Sequence, residues 1–235
     1  MRPNRLACVI WIVGLLSVPI TVWAQSAAPD KGPGPALLPP TIPIFPLPDL
    51  TLFPKISRPL HIFEPRYRAM VADALKGDRI IGMVLLRPGY EADYEGRPPV
   101  YAIGCAGVIT DVQELPDGRF NIVLRGLVKF RITGEDQSRP YRLARVDAMP
   151  ESPDDEERAA LRKQRSKLES LLAAFTGRYS SEPLPASISE EDLVNGLAQY
   201  LELDPIDHQE LLERDGVLSR AEALIDLMEK VESKK

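Results

Sequence analysis

The sequence predicts an α+β protein in which strands come first and helices follow. Residues 41–150 carry short apolar runs of period two, punctuated by glycine and proline. After Pro150 the apolar period lengthens to 3.6 and stays there. Apart from one helix over 64–76 the two patterns do not interleave, which separates α+β from alternating α/β architecture. A 235-residue chain with 44% hydrophobic and 27% charged residues is an ordinary globule that needs no disulfide or metal to hold it.

The chain opens with Arg2 and Arg5 before an apolar run over 6–22, closed by Val22-Trp23-Ala24. This pattern predicts a signal peptide over residues 1–24, cut between Ala24 and Gln25, and hence a periplasmic or secreted protein. The alternative is an uncleaved anchor, since the run is about long enough to span a bilayer. Residues 25–40, QSAAPDKGPGPALLPP, lack periodicity and read as a disordered linker.

Residues 41–68, TIPIFPLPDLTLFPKISRPLHIFEPRYR, hold six prolines among eleven isoleucines, leucines and phenylalanines. Proline cannot donate to a sheet ladder, so this stretch predicts short edge strands and fixed turns around a core. It leads into a helix over 64–76, with Pro65 in its first turn, a Tyr67/Met70/Val71/Ala74/Leu75 stripe and Gly77 as its C-terminal cap. Residues 79–87, RIIGMVLLR, predict a central strand buried on both faces. A polar loop over 88–99 carries Tyr90 and Tyr94. Residues 101–114 form a strand in which Gly104 and Gly107 suggest a bulge or close backbone approach. Pro116-Asp117-Gly118 is a hairpin turn. A half-buried strand over 119–125 ends at Gly126, and two more follow at 128–132 and 141–146.

Ser152 as cap and Pro153 in the first turn predict a long helix to about Thr176, with Leu161, Leu168, Leu171, Leu172 and Phe175 inward. A second helix covers 189–201. Asp204-Pro205 opens a third that closes at Gly216, and Ser219 to Glu222 forms a capping box for the last. The expected organisation is therefore a β-rich subdomain over 41–150 and a helical subdomain over 151–235.

Charge and chemistry exclude several functions. Loss of Arg2 and Arg5 with the leader takes the net charge from −5 to −7, and an acidic body repels phosphate backbones, so no nucleic-acid partner is expected. A membrane would be met only through an uncleaved leader. Cys8 leaves with the leader, and Cys105 alone cannot form an intramolecular disulfide. Cys105 sits in an apolar strand and reads as a small hydrophobe. His61 reads as a satisfied, half-buried strand residue, and His208 as part of a solvated helix face without metal-ligand spacing. Ser166 and Lys167 project about 100° apart on a helix. The Asp154-Asp155-Glu156-Glu157 run suits a helix N-terminus. There is no GxSxG elbow. No catalytic residue, metal site or cofactor is expected.

The run IPIFPLPDLTLFPKISRPLHIFEPRYRAMV resembles the N-terminal domain of Lon proteases, as do YAIGCAGVITDVQELPDGRFNIVLRGLVKFRI and PYRLARV further on. The likeness covers about residues 41–230. It implies a PUA-like β pseudo-barrel carrying one helix, followed by a helical bundle. It also implies a polypeptide-recognition or adaptor role, with unfolded polypeptide or a partner protein as ligand. Lon's GxxxxGK[ST] nucleotide loop does not occur in this sequence, and the expectation is a free-standing module without ATPase or peptidase domains. The alternatives are a peptidase or hydrolase subunit tied to ATP-dependent proteolysis, or an envelope scaffold. The resemblance places weak candidate contacts at Phe63, Glu64, Arg66 and Tyr67, where strand passes to helix. The loop tyrosines Tyr90 and Tyr94 are further candidates, since exposed tyrosine offers apolar area and a polar tip. An apolar groove between the two halves is the expected binding place.

Overall fold

The computed structural model describes residues 38–90, 96–136, 138–176, 185 and 187–232. The leader, most of the linker and Tyr94 lie outside them, and so does the Phe175 side chain. The element order is β1 (Thr41–Leu47), β2 (Ser57–Ile62), α1 (Pro65–Ala74), β3 (Ile80–Leu85), β4 (Ile103–Glu114), β5 (Phe120–Asp136), β6 (Arg142–Met149), α2 (Asp155–Thr176), α3 (Glu190–Tyr200), α4 (Pro205–Glu213) and α5 (Gly216–Glu232). The α+β class holds, with strands segregated from the four later helices.

The sheet order is β2-β5-β4-β3-β1-β6, and β5 also pairs with β6. That second pairing closes β5, β4, β3, β1 and β6 into a five-stranded barrel, with β2 appended outside on β5. Ile42, Ile44, Val84, Ala106, Phe130, Ala144 and Val146 form one buried cluster drawn from all five barrel strands. Opposite faces of the same strands, with Phe45, Met83 and Cys105, join the helices in a second and larger core.

β1 corrects the edge-strand expectation, because it lies between β3 and β6 despite two prolines. The explanation is register. β1 pairs with β6 through Thr41 to Ile44 and with β3 through Ile44 to Leu47. Val146 N–H donates to the Pro40 carbonyl, so by alternation Pro43 faces away from β6. Leu86 N–H donates to the Leu47 carbonyl, so Pro46 faces away from β3, toward the side that β6 has already left. Pro46 therefore removes no ladder bond, and Pro43, turned toward β3, stands just before the β1–β3 ladder begins at Ile44. β2, with Pro59, is the edge strand the prolines announce, pairing with β5 alone among the described strands.

Gly126 is a second correction: β5 runs straight through it. A Cβ there would lie 2.1 Å from the Phe53 carbonyl oxygen. The glycine therefore admits the 51–56 segment rather than ending a strand, and its N–H and carbonyl bond Ile56 and Lys55. The hairpin turn forms as expected, with Gly118 at φ 77° and Leu115 N–H donating to Arg119. β4 bulges at Ala106/Gly107.

Helix starts follow capping chemistry, with three shifts from the sequence reading. Asp154, not Ser152, caps α2, and it exchanges bonds with Glu157 in a reciprocal box (Glu157 N–H to Asp154 Oδ1, 2.8 Å; Asp154 N–H to Glu157 Oε2, 3.0 Å). α5 begins at Gly216, so Ser219 sits inside the helix and caps nothing. After α1 the left-handed residue is Arg79, at φ 61°, rather than Gly77. Ser189 caps α3, which fills the expected 189–201 span, and Pro205 opens α4 as the sequence predicts.

The helices are sewn to the barrel by polar side chains. On α3, Asn195 Nδ2 donates to the Pro54 carbonyl (3.1 Å) and Gln199 Nε2 to the Thr51 carbonyl (2.8 Å). Gln199 Oε1 accepts from Phe53 N–H (3.1 Å). Glu151 takes both guanidinium nitrogens of fully buried Arg220 at 2.6 and 3.1 Å, and Lys129 Nζ at 2.7 Å. Burial alone would raise the Glu151 pKa, but these two cations hold it below the ordinary value of 4.5. The expected apolar groove between the two halves is thus filled, with Phe53 under Arg220 and fully buried.

Candidate functional site at the barrel rim

Where β6 leaves β1, the barrel wall opens. A cavity of about 250 Å³ sits there, lined by Pro46, Arg66, Tyr67, Arg97, Pro98, Tyr141 and Arg142 among others. Its origin is the register just described: Pro46 has no N–H to satisfy, and the β1–β6 ladder stops at Ile44/Arg142. Ring faces make the walls and guanidiniums the corners.

Each corner is fixed differently. Arg142 is buried, forked onto Glu135 at 2.9 and 2.5 Å, and donates to the Pro98 carbonyl at 2.7 Å. Its charge is neutralised in place, and it braces the loop that returns at Pro98. Arg66 lies 3.1 Å from Glu64 and stacks over Tyr67, guanidinium carbon to ring centroid 4.6 Å. Arg97 donates to the Arg139 carbonyl at 3.3 Å and makes no ion pair among the described residues. Tyr141 donates to Asp73 at 2.9 Å, and this bond, ahead of Lys76 and Arg139, holds the Asp73 carboxyl below its usual range.

The predicted contacts divide. Phe63 is 59% exposed and lies against His61, ring centroids 6.2 Å apart. Glu64 does not cap α1 with its side chain; its carboxylate serves Arg66. Tyr67 is only 4% exposed, its ring 4.4 Å from that of Phe45, so it contributes a wall and not a free surface. Tyr90 is exposed, at the start of a loop whose base is closed by Arg87 N–H on Pro99. The cavity itself was not foreseen. Its signal lay in the quoted PYRLARV run, which supplies Pro140, Tyr141 and Arg142.

The two histidines and Cys105 are occupied structurally. His61 is exposed rather than half-buried, and its two ring nitrogens meet Asn121 Oδ1 at 2.7 Å and Arg119 at 3.3 Å. His208 is not on a solvated face: its Nδ1 donates to the Ala198 carbonyl at 2.7 Å, tying α4 to α3, and burial lowers its pKa below 6.5. Burial pushes the Cys105 thiol up to about 12, which removes the thiolate a nucleophile needs. Among the described residues no group of three His, Cys, Asp or Glu side chains could hold a metal ion. No helix among them is long and apolar enough to cross a membrane.

The ATP-dependent protease La (LON) substrate-binding domain matches residues 41–230. The chain belongs to that family. A Lon protease of Cytophaga hutchinsonii is 27% identical over 224 residues, which is 91% of this chain and 26% of that protein. Lon protease 2 of Myxococcus xanthus is 31% identical over 138 residues, 57% of this chain and 17% of that protein. The chain thus spans about a quarter or less of the length of these Lon proteases. A Lon N-terminal domain protein from Xanthomonas campestris superposes with a TM-score of 0.58 at 24% identity, covering 79% of this chain and 97% of that one. The N-terminal domain of Mycobacterium avium complex Lon protease gives 0.57 at 20% identity, covering 80% and 98%. At those identities the two structures share the LON-domain fold with this chain.

Proposed function

We propose that this LON-family domain is a non-catalytic polypeptide-recognition module, exported by its N-terminal leader, that binds unfolded polypeptide at the barrel rim. The observation that carries the reading is Phe63, an exposed ring immediately before the helix that brings Arg66 and Tyr67 to the cavity. A large apolar side chain left in water next to a ring-walled cavity is what a peptide-binding surface requires. The non-catalytic reading is supported by Cys105, His61 and His208, each committed to packing or hydrogen bonding. Export is supported by the Arg2/Arg5, apolar-run and Val22-Trp23-Ala24 pattern.

The test is binding of fluorescein-labelled unfolded casein to the purified protein, followed by anisotropy and by gel. The expected outcome is saturable binding without cleavage, weakened by Phe63→Ala and by Arg97→Glu. Binding indifferent to both substitutions, or cleavage of the casein, would overturn it. For export, N-terminal sequencing of the protein from an envelope fraction should begin at Gln25; recovery of an intact Met1 terminus in the cytoplasm would contradict it.

A further inference from the structure

We propose that the open edge of β2 takes up an extended stretch of the bound polypeptide as an added strand, and that it selects stretches carrying two adjacent carboxylates. The inference rests on the polypeptide-recognition reading and adds a binding mode and a substrate class to it.

The barrel circuit leaves β2 with a partner on one side only. Gly126 N–H donates to the Ile56 carbonyl, so by alternation residues 58, 60 and 62 point their backbone groups at β5. Ser57, Pro59 and His61 point theirs outward. The Tyr200 hydroxyl, donating to the Ser57 carbonyl at 2.6 Å, confirms that direction and occupies that acceptor. The edge therefore presents the Ser57 N–H, the Pro59 carbonyl, and both groups of His61. Only another extended backbone offers donors and acceptors at that spacing. Pro59 supplies no donor, which leaves a gap in the middle and discourages indiscriminate sheet growth.

Two exposed rings bracket the edge. Tyr200 stands at the Ser57 end and Phe63 follows Ile62 at the other, each 59% exposed. At about 3.3 Å per residue the stretch from 57 to 63 is roughly 20 Å long, room for about six residues of a guest.

Charge chooses the guest. Arg58 lies 5.8 Å from the Tyr200 ring, and exposed Arg125 is the cross-strand partner of Ser57. Neither makes an ion pair among the described residues, whereas Arg119 near the other end is paired with Asp117 and Lys55 with Glu191. Strand alternation puts Arg58 and Arg125 on opposite faces of the same end of the edge. A guest strand sends successive side chains to opposite faces too, so two neighbouring carboxylates meet both arginines. The same charges disfavour a second copy of this chain, whose β2 would bring arginine against arginine.

The probe is a fluorescein-labelled ten-residue peptide of alternating threonine and valine with a central Glu-Glu pair, titrated with the full chain. A Lys-Lys counterpart and two versions N-methylated on alternate amides, one for each register, complete the set. The inference expects the Glu-Glu peptide to bind about tenfold more tightly than the Lys-Lys peptide, with Arg58→Glu/Arg125→Glu erasing the preference. It also expects one N-methyl register to abolish binding and the other to leave it intact. Equal sensitivity to both registers, or equal affinity for the two charge types, would overturn it. If unfolded casein still bound in a Phe63-dependent way, that failure would leave the recognition reading standing. If neither casein nor peptide bound, both would fall. Dimerisation in sedimentation analysis that is lost in the double arginine variant would also overturn it, by giving the edge to a second copy.

Discussion

Replacing Glu151 by alanine should remove the one carboxylate shared by two buried cations. Arg220 is fully buried and the Lys129 side chain is 3% exposed. Without Glu151, Arg220 keeps the Asn195 Oδ1 (2.6 Å) and the Leu211 carbonyl (3.0 Å), and Lys129 keeps the Arg214 carbonyl (2.6 Å). All three are neutral, so two positive charges are left uncompensated in the junction between barrel and helices. Breaking a buried pair in this way costs about 3–5 kcal/mol. At roughly 2–4 °C per kcal/mol for a body of this size, calorimetry should show Tm lower by about 6–20 °C. Urea unfolding should give the same loss through its midpoint. A triple variant with Lys129→Met, Glu151→Leu and Arg220→Met should recover most of that loss, since it removes the charges together with the carboxylate. The acid limb supplies a second readout. The folded Glu151 pKa is depressed, so its stabilisation is fully present above the unfolded value near 4.5 and is lost as pH falls through the folded value. Wild type should therefore lose stability more steeply than Glu151→Gln below about pH 4.5. A loss under about 1 kcal/mol in Glu151→Ala, with unchanged acid slope, would refute the claim that this cluster locks the helices to the barrel.

Gly126→Ala should destabilise by about 1–3 kcal/mol or more in urea unfolding, because its Cβ would strike the Phe53 backbone, which is held by Gln199 and cannot retreat. Cys105, with its thiol pushed up to about 12 and buried, should stay unlabelled by a maleimide at pH 8 in the folded protein and react fully once unfolded; rapid labelling without denaturant would contradict the packing. His208 should titrate below 6.5 by NMR. Its lowered pKa means the stability it contributes is present above about pH 6.5 and falls as the ring charges, a slope that His208→Asn should flatten. Phe63→Ala should leave Tm within about 1 °C while weakening polypeptide binding, since the ring is mostly in solvent.

Local chemistry made much of this fold legible. Asp204-Pro205 and Ser189 start helices where capping rules place them, Pro116-Asp117-Gly118 turns the hairpin, and the apolar run in β3 is a strand buried on both faces. The misreadings share one cause, which is that long-range neighbours are invisible in a local window. Gly126 reads as a strand end until Phe53 is seen to cross it. Pro43 and Pro46 read as edge markers until the staggered partners of β1 are known. Arg220 reads as no more than a member of a capping box, yet it is buried on Glu151, 69 positions away. For the candidate site, the strand-to-helix junction read from the sequence brings Arg66 and Tyr67 to the cavity, with Phe63 and Glu64 just before them in the chain. The other half of the cavity, Arg97, Pro98, Tyr141 and Arg142, comes from segments that only barrel closure brings together. Asn195 and Gln199, four residues apart on α3, did carry a signal: two amides on an otherwise apolar helical face imply backbone to bind.

The central claim is that polypeptide is received at the barrel rim and not on the helical half. Amide chemical shifts of the isotopically labelled protein, recorded during titration with unfolded casein, test it directly. The account predicts saturable shifts concentrated at 57–67, 96–98 and 140–142. Shifts confined to α2 and α5, with the rim unmoved, would contradict it.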